Sequence, residues 1–372
     1  MGDFKQSMAS VLRKYGSRYM ARGDWSHVRC RFFCSRPRRC AARVYDRYVD
    51  LVETAKSRVG LSRIGWSSAQ LAAYEYLWGR LDSDSDKALL EDVVALRVLG
   101  HNAFYFKRNM ETFGKVYRLI EKHGKHIRGT EYVSVNLGDI MSDLGRIDVE
   151  VSPFVLASYV CGQYQHEAIS PRLGDFCIDF GAFMGETSLL MAEKVGDGGK
   201  VFAVEFGSSQ LGALNRNLGR NATLASRVEV WDRPFWSESN VGVYVSGQGG
   251  TTAISFTPLS NSNTERLETL SLDEAVEVYR VNKLDFIKMD VEGAEYPILK
   301  GGVNCLRRFK PKLAISIYHS DEDFDRIPRL VDSLGCGYKF SIGHYSPFFP
   351  ETVLYASRSE ERRVGKECRS RW

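Results

Sequence analysis

The segment Phe176-Cys-Ile-Asp-Phe-Gly-Ala-Phe-Met-Gly185 constrains the fold of this chain more than any other. An apolar run of strand character passes directly into two glycines that lie four residues apart, and Asp179 precedes the first of them, Gly181, by two residues. Glycines at this spacing allow a tight turn from a strand into a helix and let the backbone approach a ligand closely. The pattern therefore predicts a strand–turn–helix unit built around a bound ligand.

The acid in this turn indicates the charge of that ligand. Asp179 would repel the pyrophosphate of a dinucleotide, but it would attract the sulfonium and ammonium groups of S-adenosylmethionine (SAM). A second acid, Glu205, follows the apolar run 201–204 and lies twenty residues after Gly185. Nucleotide-binding α/β folds place a carboxylate on the ribose hydroxyls at this distance. The two acids together favour a SAM-dependent methyltransferase.

Length and composition exclude several other classes of protein. A chain of 372 residues with 44% apolar and 26% charged residues is typical of a globular protein of one large domain or two. Its apolar runs are shorter than the roughly 18 residues of a membrane span, and we expect neither a span nor a signal peptide. The eight cysteines are scattered along the chain, which favours a reducing, cytoplasmic location.

The net charge of +5 is concentrated at the two ends of the chain. Residues 1–50 hold twelve basic and four acidic side chains, and residues 358–372 hold six and three, so the region between them is acidic. This distribution does not suggest a basic groove, and we therefore expect no nucleic-acid partner.

The patterning divides the chain into four parts. Residues 1–65 form a basic leader, whose potential zinc ligands lack the paired spacing of a zinc finger: His27, Cys30, Cys34 and Cys40. Residues 66–173 are predicted to form a helical N-terminal domain, since apolar residues recur at helical spacing in 86–99. Residues 174–357 form the main domain. Residues 358–372 fit no pattern and are predicted to be a non-native tail.

The main domain alternates short apolar runs with helical patterns, which predicts an α/β fold with a mostly parallel sheet covered on both faces. The predicted strands are 176–180, 200–205, 227–231, 284–289, 312–318, 338–342 and 352–356. The predicted helices are 186–195, 208–220, 271–280, 294–300 and 322–334. Ligands of such sheets bind beyond the carboxyl ends of the strands, and five polar residues fall there: Asp179, Glu205, Asp232, Asp290 and His319.

Two segments supply candidates for catalysis. The run LDFIKMDVEGAE brings Asp290 and Glu292 to the end of a strand, although Glu292 is equally compatible with a structural place beside a helix start. Glu295 lies in the first turn of the next helix, where an acid can simply stabilise the helix dipole. The run AISIYHS brings His319 to the same edge, which makes it a candidate general base.

Four segments together resemble the FkbM family of SAM-dependent methyltransferases: CIDFGAFMGETSLL, LDFIKMDVEGAE, AISIYHS, and YKF followed by ETVLYA. The resemblance spans about residues 174–357. It implies a Rossmann-like class I methyltransferase fold, with a mostly parallel seven-stranded sheet whose last strand is inserted antiparallel, and a helical N-terminal extension. The chain departs from the family at Phe183, where many members have Asn, at Met184, where they have a small or polar residue, and at Phe206, where proline is frequent.

The resemblance also implies roles for individual residues. Asp179, Gly181 and Gly185 would line the methionine end of SAM, Glu205 would bind the ribose, and Asp232 would lie beside adenine. The run Gly250-Thr-Thr252 resembles a small-residue loop before the substrate side of the family's site, and it is equally compatible with a flexible turn.

We expect methyl transfer to a hydroxyl of a sugar, a surface glycan or a secondary metabolite, with bacterial surface polysaccharide preferred. His319 would act as general base oriented by Asp290, and Glu292 would bind a substrate hydroxyl. The methyl donor itself needs no metal, but these three residues could instead hold a divalent cation.

One alternative function is that of a nicotinamide-dependent sugar oxidoreductase or epimerase, whose G-x-G-x-x-G motif is not found at this turn. The other alternative is a non-catalytic glycan-binding module. The oligomeric state is not predicted.

Overall fold

The computed structural model describes residues 68–99, 106–166, 169–247, 252–258 and 265–358. The predicted leader, the tail beyond Arg358 and Gly250 of the small-residue loop lie outside these ranges. Among the described residues, no helix has the length and the apolar character that crossing a bilayer requires.

The described residues before Phe176 form four α-helices and a small sheet. The elements are α1 (Ser68–Arg80), α2 (Asp84–Leu99), α3 (Lys107–His123), β1 (Lys125–His126), β2 (Val133–Asn136), β3 (Asp148–Val151) and α4 (Pro153–Val160). The three strands pair antiparallel in the order β1-β2-β3. This sheet lies within the segment that was predicted to be helical. Its strands are only two to four residues long, so the apolar alternation of β2 and β3 is too short to predict a strand, and the exposed β1 has no apolar residue.

The rest of the chain alternates strands and helices as predicted. Its elements are β4 (Phe176–Phe180), α5 (Glu186–Val195), β5 (Lys200–Val204), α6 (Ser208–Arg220), α7 (Ala222–Ala225), β6 (Val228–Trp231), β7 (Gly242–Gly247), β8 (Thr252–Ser255), β9 (Glu265–Glu268), α8 (Leu272–Val278), β10 (Phe286–Met289), α9 (Glu295–Lys300), α10 (Val303–Phe309), β11 (Lys312–Ser316), α11 (Asp323–Ser333), β12 (Tyr338–His344) and β13 (Thr352–Arg358). All seven predicted strands are present. The small antiparallel sheet β8-β7-β9 and the helices α7 and α10 were not predicted.

The central sheet has seven strands in the order β12-β13-β11-β10-β4-β5-β6. Strand β13 pairs antiparallel with both of its neighbours, and the other pairs are parallel. The predicted Rossmann-like class I fold with an inserted antiparallel last strand is therefore confirmed. The order of the strands reverses between β4 and β10, and this reversal point is where open α/β sheets bind ligands.

The two faces of the sheet bury separate apolar cores. Ile178 and Phe180 of β4 lie in the core that includes residues of α1, α2 and α11, whereas Cys177 lies in the core that includes α3, α4 and α5. Successive side chains of a strand point to opposite faces. Asp179 therefore points toward the face covered by α5.

Candidate functional site

The predicted glycine turn connects β4 to α5, and both of its glycines adopt backbone conformations that favour glycine. Gly181 has a φ of 74° and Gly185 has a φ of 83°. A Cβ atom on Gly181 would lie 1.9 Å from the carbonyl oxygen of Asp290. The turn therefore needs glycine at 181 because it packs against the end of β10.

Asp179, which was predicted from its charge to attract a cationic ligand, has its partners inside the protein. Its side chain is fully buried, and its carboxylate accepts hydrogen bonds from the hydroxyls of Thr187 (2.7 Å) and Ser188 (2.6 Å) on α5. Lys288, its direct neighbour in the register of β4 and β10, places its ammonium 2.9 Å from Asp179 Oδ1. Asp179 thus stabilises the turn from the interior of the protein, where the ammonium of Lys288 balances its charge.

Lys288 also holds the turn through the backbone. Its ammonium donates hydrogen bonds to the carbonyl oxygens of Phe180 (3.1 Å) and Gly181 (2.6 Å). Burial lowers the pKa of Lys288, but the carboxylates of Asp179 and Asp290 outweigh burial and raise the pKa. The lysine therefore remains a cation that joins the carboxyl ends of two neighbouring strands.

Glu205 lies directly after β5, where an acid for the ribose is predicted. Its Oε1 accepts the backbone N–H groups of Phe206 and Gly207, both at 2.9 Å, and its Oε2 accepts that of Phe183 at 3.1 Å. Burial raises the pKa of Glu205, and these hydrogen bonds counteract it. A carboxylate oxygen can accept two hydrogen bonds, so Oε2 can still accept a hydroxyl. Asp232, the predicted adenine neighbour, is exposed directly after β6.

His319 lies shortly after the end of β11, and three acidic side chains lie beside it. Its Nδ1 is 2.9 Å from Oε1 of the fully buried Glu295, and its Nε2 is 3.6 Å from Asp290 and 3.5 Å from Glu292. Burial lowers the pKa of His319, but the bond to Glu295 and the charges of the three acids raise it to about 9. The structure therefore brings together all three predicted catalytic residues.

Asp290 is held by two phenols rather than left free. Its Oδ2 accepts a hydrogen bond from the Tyr164 hydroxyl at 2.8 Å, and its Oδ1 accepts one from the Tyr318 hydroxyl at 3.1 Å. Burial raises the pKa of both tyrosines well above the usual value, so both remain donors. The second predicted acid, Glu292, is half exposed, and burial raises its pKa.

A further acid, Glu351, reaches this cluster from the loop between β12 and β13. It is buried and accepts a hydrogen bond from the side-chain amide of Gln163. Burial, followed by the charge of Asp290, raises the pKa of Glu351 to about 8. Burial thus favours the protonated form of Glu351, in which the carboxyl group can donate a hydrogen bond as well as accept one.

Backbone strain is concentrated around the same residues. Four of the described non-glycine residues at or beside the site have positive φ angles: Tyr164 (59°), Phe183 (51°), Glu292 (54°) and Glu351 (71°). Each such conformation costs on the order of 1–3 kcal/mol and persists only where its surroundings enforce it. Asparagine, which the family resemblance gives as the frequent residue at position 183, would adopt this φ more readily than phenylalanine.

The cluster also contains a potential metal site. Asp290, Glu295 and His319 each offer one ligand atom, and these atoms lie within 4.8 Å of one another. Carboxylate oxygens with an imidazole nitrogen are a donor set that manganese and other divalent cations accept. The sequence left open a cation site formed by Asp290, Glu292 and His319, whereas the group in the structure has Glu295 in the place of Glu292.

Several site residues were not predicted from the sequence. Lys288 interrupts an apolar strand, which was a visible signal, but its partner depends on strand register. Glu295 was interpreted only as a helix stabiliser. Tyr164 lies outside the four motifs. Glu351 is the first residue of ETVLYA, but that run was interpreted only as part of the family resemblance.

Similarity to known proteins indicates the family to which the chain is related. Residues 162–340 match the model of the methyltransferase FkbM domain. No curated protein matches.

Solved structures with similar folds include the following three. Methyltransferase FkbM from Methylobacillus flagellatus KT is 18% identical with a TM-score of 0.49, and the match covers 77% of this chain and 59% of that one. Aeropyrum pernix fibrillarin with natively bound S-adenosyl-L-methionine is 16% identical with a TM-score of 0.37, covering 62% of this chain and 96% of that one. A putative O-methyltransferase from Klebsiella pneumoniae is 11% identical with a TM-score of 0.32, covering 50% and 73%. The chain thus spans 59% of the length of the Methylobacillus protein.

Proposed function

Residues 162–340 belong to the FkbM family of SAM-dependent methyltransferases, and from this premise we propose that the protein methylates a hydroxyl group of a sugar, a surface glycan or a secondary metabolite. The observation that carries the proposal is the pairing of His319 with the buried Glu295 at a strand end next to the glycine turn. An imidazole oriented by a buried carboxylate is suited to accept a proton from a hydroxyl.

The residues around the turn fit SAM. Gly181 and Gly185 leave the backbone of the turn free of side chains, and Glu205 Oε2 retains a position for a ribose hydroxyl. Asp232 is exposed directly after β6, and in this proposal it lies beside adenine. When bound, SAM supplies the methyl group and is converted to S-adenosylhomocysteine.

The acceptor hydroxyl would bind among the residues after β10 and β11. Glu295 faces Nδ1 of His319, so Nε2 is the nitrogen that takes the proton as the hydroxyl oxygen attacks the methyl carbon. Asp290, fixed by Tyr164 and Tyr318, holds the imidazole from the side, and Glu292 is placed to accept a hydrogen bond from the acceptor.

A single-turnover assay tests the role of the histidine. The protein is incubated with methyl-labelled SAM and a panel of glycans, nucleotide sugars and small polyols to find an acceptor. His319→Ala should then slow methyl transfer by about 100-fold or more. His126→Ala, which alters an exposed histidine of β1, should not change the rate. An unchanged rate in His319→Ala removes it as the base.

Calorimetry separates the proposal from its two alternatives. SAM binding that is weakened by Glu205→Gln supports the methyltransferase, whereas binding of NAD instead would support an oxidoreductase. SAM binding without turnover on any acceptor would favour a glycan-binding module. Repeating the assay with EDTA and then with Mg²⁺ or Mn²⁺ tests whether the potential metal site contributes to the rate.

Two narrower parts of the proposal are the class of acceptor and the cellular location. Bacterial surface polysaccharide as the acceptor follows from the motif resemblance alone. A cytoplasmic location follows from the scattered cysteines, and the four cysteines among the described residues carry free thiols: Cys161, Cys177, Cys305 and Cys336. Labelling of cell fractions with an antibody to the protein would test the location.

A further inference from the structure

Glu186 is a buried acid at the glycine turn that the proposed mechanism does not use. It is the first residue of α5 and follows Gly185 directly. Only 4% of its surface is exposed, and its Oε2 atom has no hydrogen-bond partner in the described structure. Buried polar groups are almost always hydrogen-bonded, so an orphaned carboxylate oxygen at a ligand-binding turn calls for an explanation.

The charged and titratable groups around Glu186 do not neutralise it. They come from four neighbouring elements: Asp179 of β4, Glu205 after β5, Lys288 of β10 and Tyr132 before β2. The only cation among them is the ammonium of Lys288, which already contacts Asp179 and two backbone carbonyls. Burial, with the charges of Asp179 and Glu205, raises the pKa of Glu186 to about 7.

A purely structural role explains this arrangement poorly. A neutral carboxyl group in a core is tolerated when its hydroxyl donates to an acceptor, and Oε2 has no such partner. The first position of a helix favours an acid through the dipole, but that stabilisation requires the charged form, which burial disfavours here. The missing component is a positive charge at the glycine turn.

We propose that Glu186 is a cofactor-binding residue whose carboxylate contacts the cationic methionine end of SAM. This inference rests on the proposed function and moves a predicted role from one residue to another. The charge of Asp179 is met by Lys288, so the acid that remains to face a sulfonium or ammonium group is Glu186. On binding, the protonated fraction of Glu186 releases its proton to solvent, and the carboxylate pairs with the ligand.

Proton release measured by calorimetry tests this proposal with a readout that is independent of turnover. The full chain is titrated with SAM at pH 7 in buffers of different ionisation enthalpy, and the slope of binding enthalpy against ionisation enthalpy gives the number of protons released. With a pKa of about 7, Glu186 is half protonated at this pH, so it should release about half a proton. In Glu186→Gln this release should disappear, and SAM should bind about tenfold more weakly at pH 8.

Controls separate this role from general effects of mutation. Glu193→Gln changes an exposed acid of the same helix and should leave affinity and proton release unchanged. Circular dichroism establishes that Glu186→Gln is folded. In the wild type, SAM affinity should also rise by about tenfold from pH 6 to pH 8 and then level off. This pH dependence of SAM affinity should flatten in Glu186→Gln. A pH dependence that came from titration of His319 or Glu205 would instead persist in that variant.

The outcomes distinguish the inference from the function on which it rests. If the wild type binds SAM and Glu186→Gln releases as many protons with equal affinity, the inference is overturned while the methyltransferase proposal stands. If the wild type does not bind SAM, both fall. Repeating the titration with S-adenosylhomocysteine, which lacks the sulfonium charge, identifies the contacted group. A mutational loss confined to SAM assigns the sulfonium, and an equal loss for both ligands assigns the ammonium.

Discussion

Replacement of Lys288 by methionine should destabilise the protein strongly. Its ammonium is 2.9 Å from Asp179 Oδ1 and donates to the carbonyl oxygens of Phe180 and Gly181. Methionine keeps much of the side-chain volume and removes all three polar contacts. The variant would leave a fully buried carboxylate between β4 and α5 with no cation to compensate it.

The expected loss of unfolding free energy follows from the hydrogen bonds that Asp179 would keep in the Lys288→Met variant. Its carboxylate would keep only the hydroxyl donors of Thr187 and Ser188. Removing one partner of a buried ion pair costs about 3–5 kcal/mol because the other charge is left unpaired. Two backbone carbonyls also lose their donor, which places the expected loss of unfolding free energy at about 4–5 kcal/mol.

Urea unfolding measures this loss. At an m value of about 3 kcal/mol per molar, the midpoint should fall by about 1.3–1.7 M. The double variant Asp179→Asn/Lys288→Met should recover at least half of the loss, because the unpaired charge is gone. Lys283→Met, which alters a half-exposed lysine that lies 3.3 Å from Asp285, should cost about 1 kcal/mol or less. A midpoint shift below about 0.3 M in Lys288→Met, or a double variant no more stable than the single, would refute the reasoning.

Four further predictions concern the turn and the base. Gly181→Ala should weaken SAM binding at least tenfold, because its Cβ would lie 1.9 Å from the Asp290 carbonyl oxygen; Gly335→Ala, with a φ of 67° and open space, is the control, and equal SAM affinity in both variants would contradict the prediction. Phe183→Asn should be at least about 1 kcal/mol more stable than Phe183→Val in thermal unfolding, because valine tolerates a φ of 51° poorly. The rate of methyl transfer should rise tenfold per pH unit toward a plateau above pH 9, since His319 with a pKa of about 9 must lose its proton to act as a base. Glu295→Gln should move this rise to lower pH by removing the carboxylate that raises the pKa of His319, and an unmoved profile would exclude Glu295 as its partner.

The central sheet could be predicted from the sequence because its strands are buried on both faces. Continuous apolar runs such as 201–204 indicate a buried strand directly. The two small sheets lacked this signal. The residues of β9 are exposed or half-buried, and their composition is that of a surface loop. Their strand pairing is decided by neighbours in space rather than by a local pattern.

The site was predictable only in part, for a related physical reason. The motifs placed His319 and Asp290 at the same edge of the sheet, and the structure brings them to 3.6 Å. A sequence pattern does not show which neighbour meets a buried charge. Asp179 was therefore assigned to the ligand, although register pairs it with Lys288. Glu295 was interpreted through its own helix, although its partner lies on the adjacent strand segment.

The close approach of Gly181 to Asp290 explains how the two halves of the site are held in register. Gly181 belongs to the turn that would bind the methyl donor, and Asp290 belongs to the cluster that would bind the acceptor. The Asp290 N–H donates to the Phe180 carbonyl at 3.1 Å, and the Gly181 Cα has no room for a side chain against the Asp290 carbonyl. Lys288 bridges the same two strands from within the sheet. In-line methyl transfer requires donor and acceptor to be aligned within a fraction of an ångström, and this direct backbone contact fixes their separation without an intervening flexible side chain.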